Sequence, residues 1–229
     1  MRIGILGSGL MGGKLGTLFA RAGHDVIFSY SRSEKKLERL ARDAGANART
    51  GTPSDAARDS DALLLSVPWS QFNDVLEQAG DLSGKVIVTC SLPTDADGSG
   101  LLLGYTTSGA EELAKKVPKA RVVQAFNTVP SEVFFAVFEN RRRKVRPSVV
   151  YCGDDKKAKR VAAQLISDVG FEPIDIGGLR MARYSEPFTF IIAQQAYETD
   201  RGPALAYRFE WYEELTAPSA HAHPPRQAR

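Results

Sequence analysis

Three glycines near the start of the chain, Gly7, Gly9 and Gly12, follow the spacing G-x-G-x-x-G. In such a turn the first glycine permits a tight bend and the second lets a pyrophosphate approach the backbone, while the third allows a helix to pack closely on a strand. The amides at the helix N-terminus then face the phosphates. The spacing alone is weak evidence, since a purely structural glycine-rich turn has the same pattern.

The surroundings of this turn strengthen the interpretation. A short apolar run at 2–6 precedes the glycines, and an amphipathic helical pattern at 10–22 follows them. A strand that enters a glycine turn and a helix that leaves it are the context in which the spacing predicts a dinucleotide site.

The residues around position 32 indicate which dinucleotide is bound. An NAD-selective site usually carries an acidic residue about 20 positions beyond the motif, where it binds the ribose 2′-hydroxyl. Here Arg32 stands at that distance from Gly12, flanked by Ser31 and followed by Lys36. A hydroxyl, a guanidinium and an ammonium group can surround a 2′-phosphate, so the sequence predicts NADP(H). The alternative is a solvated helix start.

Short apolar runs alternate with helical patterns along the chain, as is typical of an α/β fold. We therefore predict a Rossmann-type, doubly wound and mainly parallel sheet with a helical C-terminal extension. The predicted strands lie at 2–6, 26–28, 62–67, 86–89, 122–126, 149–152 and 173–176, and the predicted helices at 10–22, 33–45, from 53, 110–116, from 131 and 156–169.

The domain prediction follows from the same pattern. Residues 1–178 are expected to form the NADP-binding Rossmann domain, and 179–215 a helical extension packed on it. The segment 216–229 is rich in Ala, Pro and His without periodicity, which predicts a disordered tail. Large apolar residues at 188 and 190–192 indicate either core or a homodimer face.

Composition narrows the classes of function. Hydrophobic residues make up 43% and charged residues 25% of the 229 positions, as in globular proteins, and the net charge is +3. This charge is too small to predict nucleic-acid binding. The basic run 141–146 is most simply a solvated loop, or alternatively a patch that attracts an anionic partner.

The remaining signals point away from metal and membrane chemistry. Cys90 and Cys152 have no metal-ligand spacing and are expected to be buried free thiols, and the three histidines form no cluster. No apolar stretch is long enough to span a bilayer, and the start has no signal-peptide anatomy. The sequence predicts a cytoplasmic protein without a metal site, a membrane anchor or a nucleophilic catalytic residue.

The chain resembles the NADPH-dependent reductases of coenzyme F420, the F420-dependent NADP oxidoreductase family. The landmarks cover almost all of the chain up to about position 215, and the blocks after Val122 and Cys152 discriminate best. They are Ile3-Gly-Ile-Leu-Gly-Ser-Gly9, Ser31-Arg32, Val67-Pro-Trp69, Val122-Val-Gln-Ala-Phe-Asn-Thr-Val-Pro-Ser131, Cys152-Gly-Asp-Asp155, Gly177-Gly-Leu-Arg180 and Glu186-Pro187.

The resemblance implies direct hydride transfer between nicotinamide C4 and C5 of an 8-hydroxy-5-deazaflavin, which needs neither a nucleophile nor a metal. It places Ser8, Gly9, Leu10 and Met11 on the pyrophosphate. It also places Ser31, Arg32 and Lys36 on the 2′-phosphate, and Trp69, Leu92, Asn127 and Ser131 around the nicotinamide or deazaflavin. Family members can carry His where this chain has Asn127.

Several alternatives stay open at this point. Trp69 could pack at a helix start, Asn127 could cap a turn, and Asp154 and Asp155 could cap the next helix. The second substrate could be another flavin-like molecule, a carbonyl or an imine, because fold does not determine function. A non-catalytic NADP(H) sensor is the remaining hypothesis.

Overall fold

The central strands are almost entirely apolar because helices cover the sheet on both faces. Side chains alternate between two cores, so that Leu64 packs in one core while Leu63 and Leu65 pack in the other. The computed structural model describes residues 1–211. Its strands are β1 (Arg2–Leu6), β2 (Asp25–Ser29), β3 (Ala48–Thr50), β4 (Ala62–Leu65), β5 (Val86–Thr89), β6 (Arg121–Ala125), β7 (Ser148–Gly153) and β8 (Glu172–Asp175).

The helices begin at residues that can satisfy free backbone amides. The Ser33 hydroxyl accepts a hydrogen bond from the Lys36 amide, and Gly45 ends the same helix with a φ of +105°. Thr52 caps the next helix, with Pro53 in its first turn. The helices are α1 (Leu10–Arg21), α2 (Glu34–Ala44), α3 (Pro53–Asp59), α4 (Phe72–Ala79), α5 (Gly109–Lys116), α6 (Phe134–Glu139), α7 (Lys156–Asp168) and α8 (Ala182–Tyr197).

The strand order confirms the predicted fold class. The sheet runs β3-β2-β1-β4-β5-β6-β7-β8, and its first six members are parallel. Strand order reverses between β1 and β4, which is the place where ligands bind in open α/β sheets. Two features were not predicted: the three-residue strand β3, and the antiparallel pairing of β7 with β6.

The predicted helical segment 179–215 is wrong over residues 198–211. The helix α8 ends at Tyr197, and the chain through Gly202 and Pro203 is not helical. The reason is tertiary contact: the Tyr207 hydroxyl lies 2.7 Å from Thr128 Oγ1 and accepts from the Val150 amide at 3.3 Å. This packing holds the segment in a non-helical path. Positions 212–215 and the predicted tail 216–229 lie outside the described residues.

The predictions for the cysteines and for the apolar C-terminal cluster have different outcomes. Cys90 and Cys152 are buried free thiols, as predicted. The apolar cluster divides: Ile192 is buried, Phe188 packs edge-on against Tyr207, and Ile191 is 61% exposed. Within residues 1–211 no helix is long and apolar enough to cross a membrane. A homodimer through α8 stays a prediction.

Candidate functional site

Packing explains two of the three motif glycines. A side chain at Gly7 would place its Cβ 2.2 Å from the Ser66 carbonyl oxygen, and the φ of +110° at Gly7 disfavours any other residue. A Cβ at Gly12 would lie 1.9 Å from the Gly7 carbonyl oxygen. The Ser8 hydroxyl donates to the Ser29 carbonyl at 2.8 Å and ties this turn to the end of β2.

Packing does not explain Gly9. A Cβ there would meet no atom within 4 Å, and its φ of −75° is not the left-handed value that requires glycine. Gly9 also stands at the N-cap of α1, where no side chain caps the first amides. The open space above Gly9 and the uncapped amides fit a phosphate group that approaches the backbone.

A cavity of about 550 Å³ lies beside the end of β2 and contains two of the three residues predicted for the 2′-phosphate. Ser31 and the exposed Arg32 line it, whereas the Lys36 side chain does not. Tyr30 turns the chain into the cavity with a φ of +55°, a conformation that is rare outside glycine. The other lining residues are Glu34, Leu37, Gly51, Pro53, Ser70, Gln71, Asp74 and Gln78.

The acidic Asp74 in this cavity already has hydrogen-bond partners. Its carboxylate accepts from the Tyr30 hydroxyl at 2.5 Å and from the side-chain nitrogen Nε2 of Gln78 at 2.9 Å. Burial, together with this carboxylate, raises the pKa of Tyr30 to about 12, so the phenol stays protonated at neutral pH. Arg32 is therefore the lining residue with a positive charge available for a phosphate.

A second cavity, of about 240 Å³, brings together five predicted site residues from distant parts of the chain. They come from the start of α1 and from the loops after β5 and β6, namely Leu10, Met11, Leu92, Asn127 and Ser131. The sequence did not predict the other lining residues, which are Cys90, Val129, Pro130 and, from α8, Thr189, Ile192, Ala193 and Tyr197.

Asn127 lies at the end of β6, directly after a residue with an unusual backbone conformation. Phe126 has a φ of +67° and is held fully buried between Phe19 and Phe134. Strain of this kind persists only where the surrounding packing determines it, and it is frequent at functional sites. This turn directs the Asn127 side chain toward α8, where its amide nitrogen donates to the Ser185 carbonyl.

Two polar ties hold the rim of this cavity. The Lys14 ammonium donates to the carbonyl and the hydroxyl of Ser131, at 3.1 and 3.0 Å. The Tyr197 hydroxyl donates to the Glu132 carboxylate at 2.9 Å. Burial, together with Glu132, raises the pKa of Tyr197 to about 12. These bonds join α1 and α8 to the turn after β6.

Trp69 does not line either cavity in the described part of the chain. Its ring packs 4.6 Å from the Phe72 ring, in the short turn that precedes α4, as the packing alternative predicted. The capping alternative fits one residue of the acidic pair after β7, since Asp155 caps α7 and Asp154 does not. Asp155 accepts from the Ala158 amide at 2.8 Å, and Asp154 accepts from the Leu179 amide at 2.8 Å.

The basic run 141–146 forms a loop between α6 and β7. Arg141 stacks over the Phe138 ring at 4.0 Å, and Val145 is 60% exposed. None of these residues lines either of the two cavities described above. Their arrangement matches the simpler of the two predictions, a solvated loop.

A buried carboxylate anchors α8 against the sheet. Glu186 is 1% exposed and accepts from the amides of Gly109 and Ala110, at 2.9 and 3.1 Å, and from Gln124 Nε2 at 2.9 Å. The nearby Arg183 makes a bidentate pair with Glu111. These bonds fix the helix that forms one wall of the second cavity.

The buried Glu186 should make folding stability depend on pH near neutrality. Burial raises its pKa from 4.5 to about 7, although three donors favour the anion. The folded chain thus binds this proton more tightly than the unfolded chain does. The stabilisation is complete below about pH 4.5 and is lost as pH rises through about 7. We expect the free energy of unfolding of the wild type to fall by about 2–3 kcal/mol relative to that of Glu186→Gln over this range.

Denaturant unfolding of both proteins between about pH 5 and 8 measures this difference. Glu112→Gln is a matched control on α5, because the Lys115 ammonium lowers the pKa of Glu112 and its proton is lost before this range begins. The prediction would be contradicted if the free energies of unfolding of the wild type and of Glu186→Gln differed by the same amount at every pH in this range.

The chain is similar in sequence to known proteins over the segments that form this site. The family model "NADP oxidoreductase coenzyme F420-dependent" matches residues 2–93, which include the glycine turn and Arg32. The F420-dependent NADP reductase of Methanocaldococcus jannaschii is 30% identical over 203 residues, covering 82% of this chain and 89% of that protein. The chain belongs to the F420-dependent NADP oxidoreductase family. Like this family, it is an NADP-dependent oxidoreductase that binds NADP(H).

The chain is also similar to two further proteins. A candidate F420-dependent NADP reductase from Arthrobacter sp. FB24 has the same fold, with a TM-score of 0.80 over 92% of this chain and 100% of that one, at 23% identity. Rat metalloreductase STEAP3 is 29% identical over 185 residues. The chain spans only 36% of the length of STEAP3. The chain is therefore similar in sequence to part of a longer reductase.

Proposed function

We propose that the chain transfers a hydride between NADPH and coenzyme F420, an 8-hydroxy-5-deazaflavin. The observation that carries the proposal is the second cavity, where Leu10 and Met11 of the phosphate-binding turn meet Asn127 and Ser131. A ring placed there would extend from a dinucleotide whose pyrophosphate lies on Gly9. Loops after parallel strands are the expected position for such a ligand.

The dinucleotide half of the proposal rests on the glycine turn and the first cavity. Ser8, Gly9, Leu10 and Met11 would hold the pyrophosphate through backbone amides at the start of α1. Ser31 and Arg32 would hold the 2′-phosphate. Lys36 supports them from the first turn of α2 as a charge rather than as a lining group.

The chemistry of the second cavity suits hydride transfer. Among its lining residues only Cys90 and Tyr197 can ionise, and their pKa values are raised to about 11 and about 12. NADPH, one proton and the oxidised deazaflavin give NADP⁺ and the reduced deazaflavin, with the proton taken from solvent. The protein has to hold two rings at reacting distance and keep water away from them.

The proposal is tested by mixing purified protein, NADPH and oxidised F420 and following deazaflavin absorbance and NADPH fluorescence together. We expect the two signals to disappear in equal molar amounts over many turnovers, because one hydride leaves NADPH for each deazaflavin reduced. Riboflavin, with a nitrogen in place of C5, is the matched control acceptor. Tight NADPH binding without any F420 reduction would contradict the proposal.

A second candidate, reduction of a carbonyl or an imine, is favoured by one observation. Tyr197 lines the second cavity and carries a phenol that stays protonated. If a bound substrate replaces Glu132 as its acceptor, this phenol can donate a proton to the reduced substrate. NADPH oxidation by a panel of ketones and cyclic imines, in the absence of F420, distinguishes this candidate from the first.

A further inference from the structure

The orientation of the Asn127 amide is determined by its neighbours. Its nitrogen lies 3.2 Å from the Ser185 carbonyl oxygen and 3.1 Å from Thr189 Oγ1. The Ser185 carbonyl can only accept hydrogen bonds, so the NH₂ group must face it. Thr189 donates its own hydrogen to the same carbonyl at 3.2 Å, which leaves its oxygen free to accept. Both hydrogens of the Asn127 amide are therefore used by α8.

The Asn127 oxygen, in contrast, has no donor among residues 1–211. The residue is 6% exposed and lines the second cavity, yet Oδ1 makes no hydrogen bond. Two donors on the rim of this cavity are engaged elsewhere, since Lys14 is bonded to Ser131 and Tyr197 to Glu132. A buried acceptor without a partner costs about 1–3 kcal/mol. A bound molecule that supplies a donor would recover this cost.

We propose that Asn127 selects a planar ring that carries an amide-type N–H group, from which Oδ1 accepts a hydrogen bond. The inference rests on the proposed function, which offers two sources of this group. One is the carboxamide of the nicotinamide ring, and the other is the imide N–H of the deazaflavin. The rest of the lining is largely aliphatic, so a ring that presents only acceptors to Asn127 leaves Oδ1 unpaired.

The binding test uses two pairs of ligands that differ only in this N–H group. NADPH is compared with its reduced 3-acetylpyridine analogue, in which a methyl replaces the amide NH₂. The 8-hydroxy-5-deazaflavin is compared with its N3-methyl derivative. In one of these two pairs, we expect the wild type to bind the ligand with the N–H group about 10- to 100-fold more tightly than the ligand without it. Dissociation constants are measured by fluorescence titration, without turnover.

The variant Asn127→Leu should lose this discrimination, so that both members of the selective pair bind within about twofold of each other. Its NADPH-over-NADH preference and its melting temperature show whether the remaining site is intact. Should the variant fail to fold, Thr189→Val is used instead. It removes the oxygen that accepts one hydrogen of the Asn127 amide, and we expect the ratio of the two dissociation constants in the selective pair to fall. The pair that discriminates identifies the source of the N–H group.

The proposal is overturned if the wild type binds both members of each pair equally, because Oδ1 then meets water rather than a ligand. It is also overturned if a folded Asn127→Leu protein keeps the wild-type ratio. Failure of the proposed function gives a different pattern. In that case F420 is not reduced, while the nicotinamide pair is still discriminated.

Discussion

Arg32→Ala should remove most of the preference of this protein for NADPH over NADH. Arg32 is the lining residue of the first cavity with an available positive charge, and its planar fork matches two phosphate oxygens. Hydrogen bonds to charged groups contribute about 1.5–3 kcal/mol each. We expect NADPH binding to weaken by about 100-fold, with NADH binding changed by about twofold or less. Fluorescence titration of both cofactors measures the change.

Two further variants test whether the effect comes from geometry or from charge. Arg32→Lys keeps the charge but not the fork, and we expect it to recover only part of the preference. Lys36→Ala removes an ammonium that does not line the cavity, so its effect should be smaller than that of Arg32→Ala. Equal dissociation constants for NADPH and NADH in the wild type would contradict the prediction.

Gly9→Ala should abolish tight binding of either cofactor while leaving the fold intact. The new methyl group would meet no protein atom within 4 Å, and the φ of Gly9 is negative, so no left-handed conformation requires glycine there. It would instead occupy the space where a pyrophosphate must approach the amides of α1. We expect a loss of at least about 100-fold in NADPH affinity, with a melting temperature within about 2 °C of the wild type.

Gly12→Ala is the matched control, because there the methyl group would lie 1.9 Å from the Gly7 carbonyl oxygen. This variant should lose both stability and binding, since α1 can no longer pack against the turn. The contrast between the two alanines separates contact with a ligand from contact within the protein. A Gly9→Ala protein that keeps wild-type affinity would show that no phosphate lies above this residue.

The sequence was most informative where local rules apply. The glycine turn, the helix starts near positions 33 and 53, and the apolar strands follow from short-range chemistry, and the structure confirms these elements. The placement of Arg32 follows from its spacing to Gly12. The strand β3 was missed because its three residues, two half-buried and one exposed, carry too little pattern. The antiparallel direction of β7 depends on the path between elements, which periodicity does not report.

The second cavity shows why the rest of the site was not predictable. Its α8 wall lies about sixty positions after Asn127 in the chain, and helical periodicity does not report which strand end a helix will face. The tie between Lys14 and Ser131 joins residues 117 positions apart. The unpaired Oδ1 of Asn127 becomes visible only when all of its neighbours are placed. Relations of this kind are properties of the folded chain.

The two cavities have consequences for how this protein can evolve. Their sets of lining residues do not overlap within the described chain. One set comes from the segments after β2, β3 and β4, and the other from the start of α1, the segments after β5 and β6, and α8. Substitutions that alter the choice of dinucleotide need not disturb the choice of hydride partner. Descendants of one ancestral scaffold could therefore exchange one substrate at a time, each step passing through a functional enzyme.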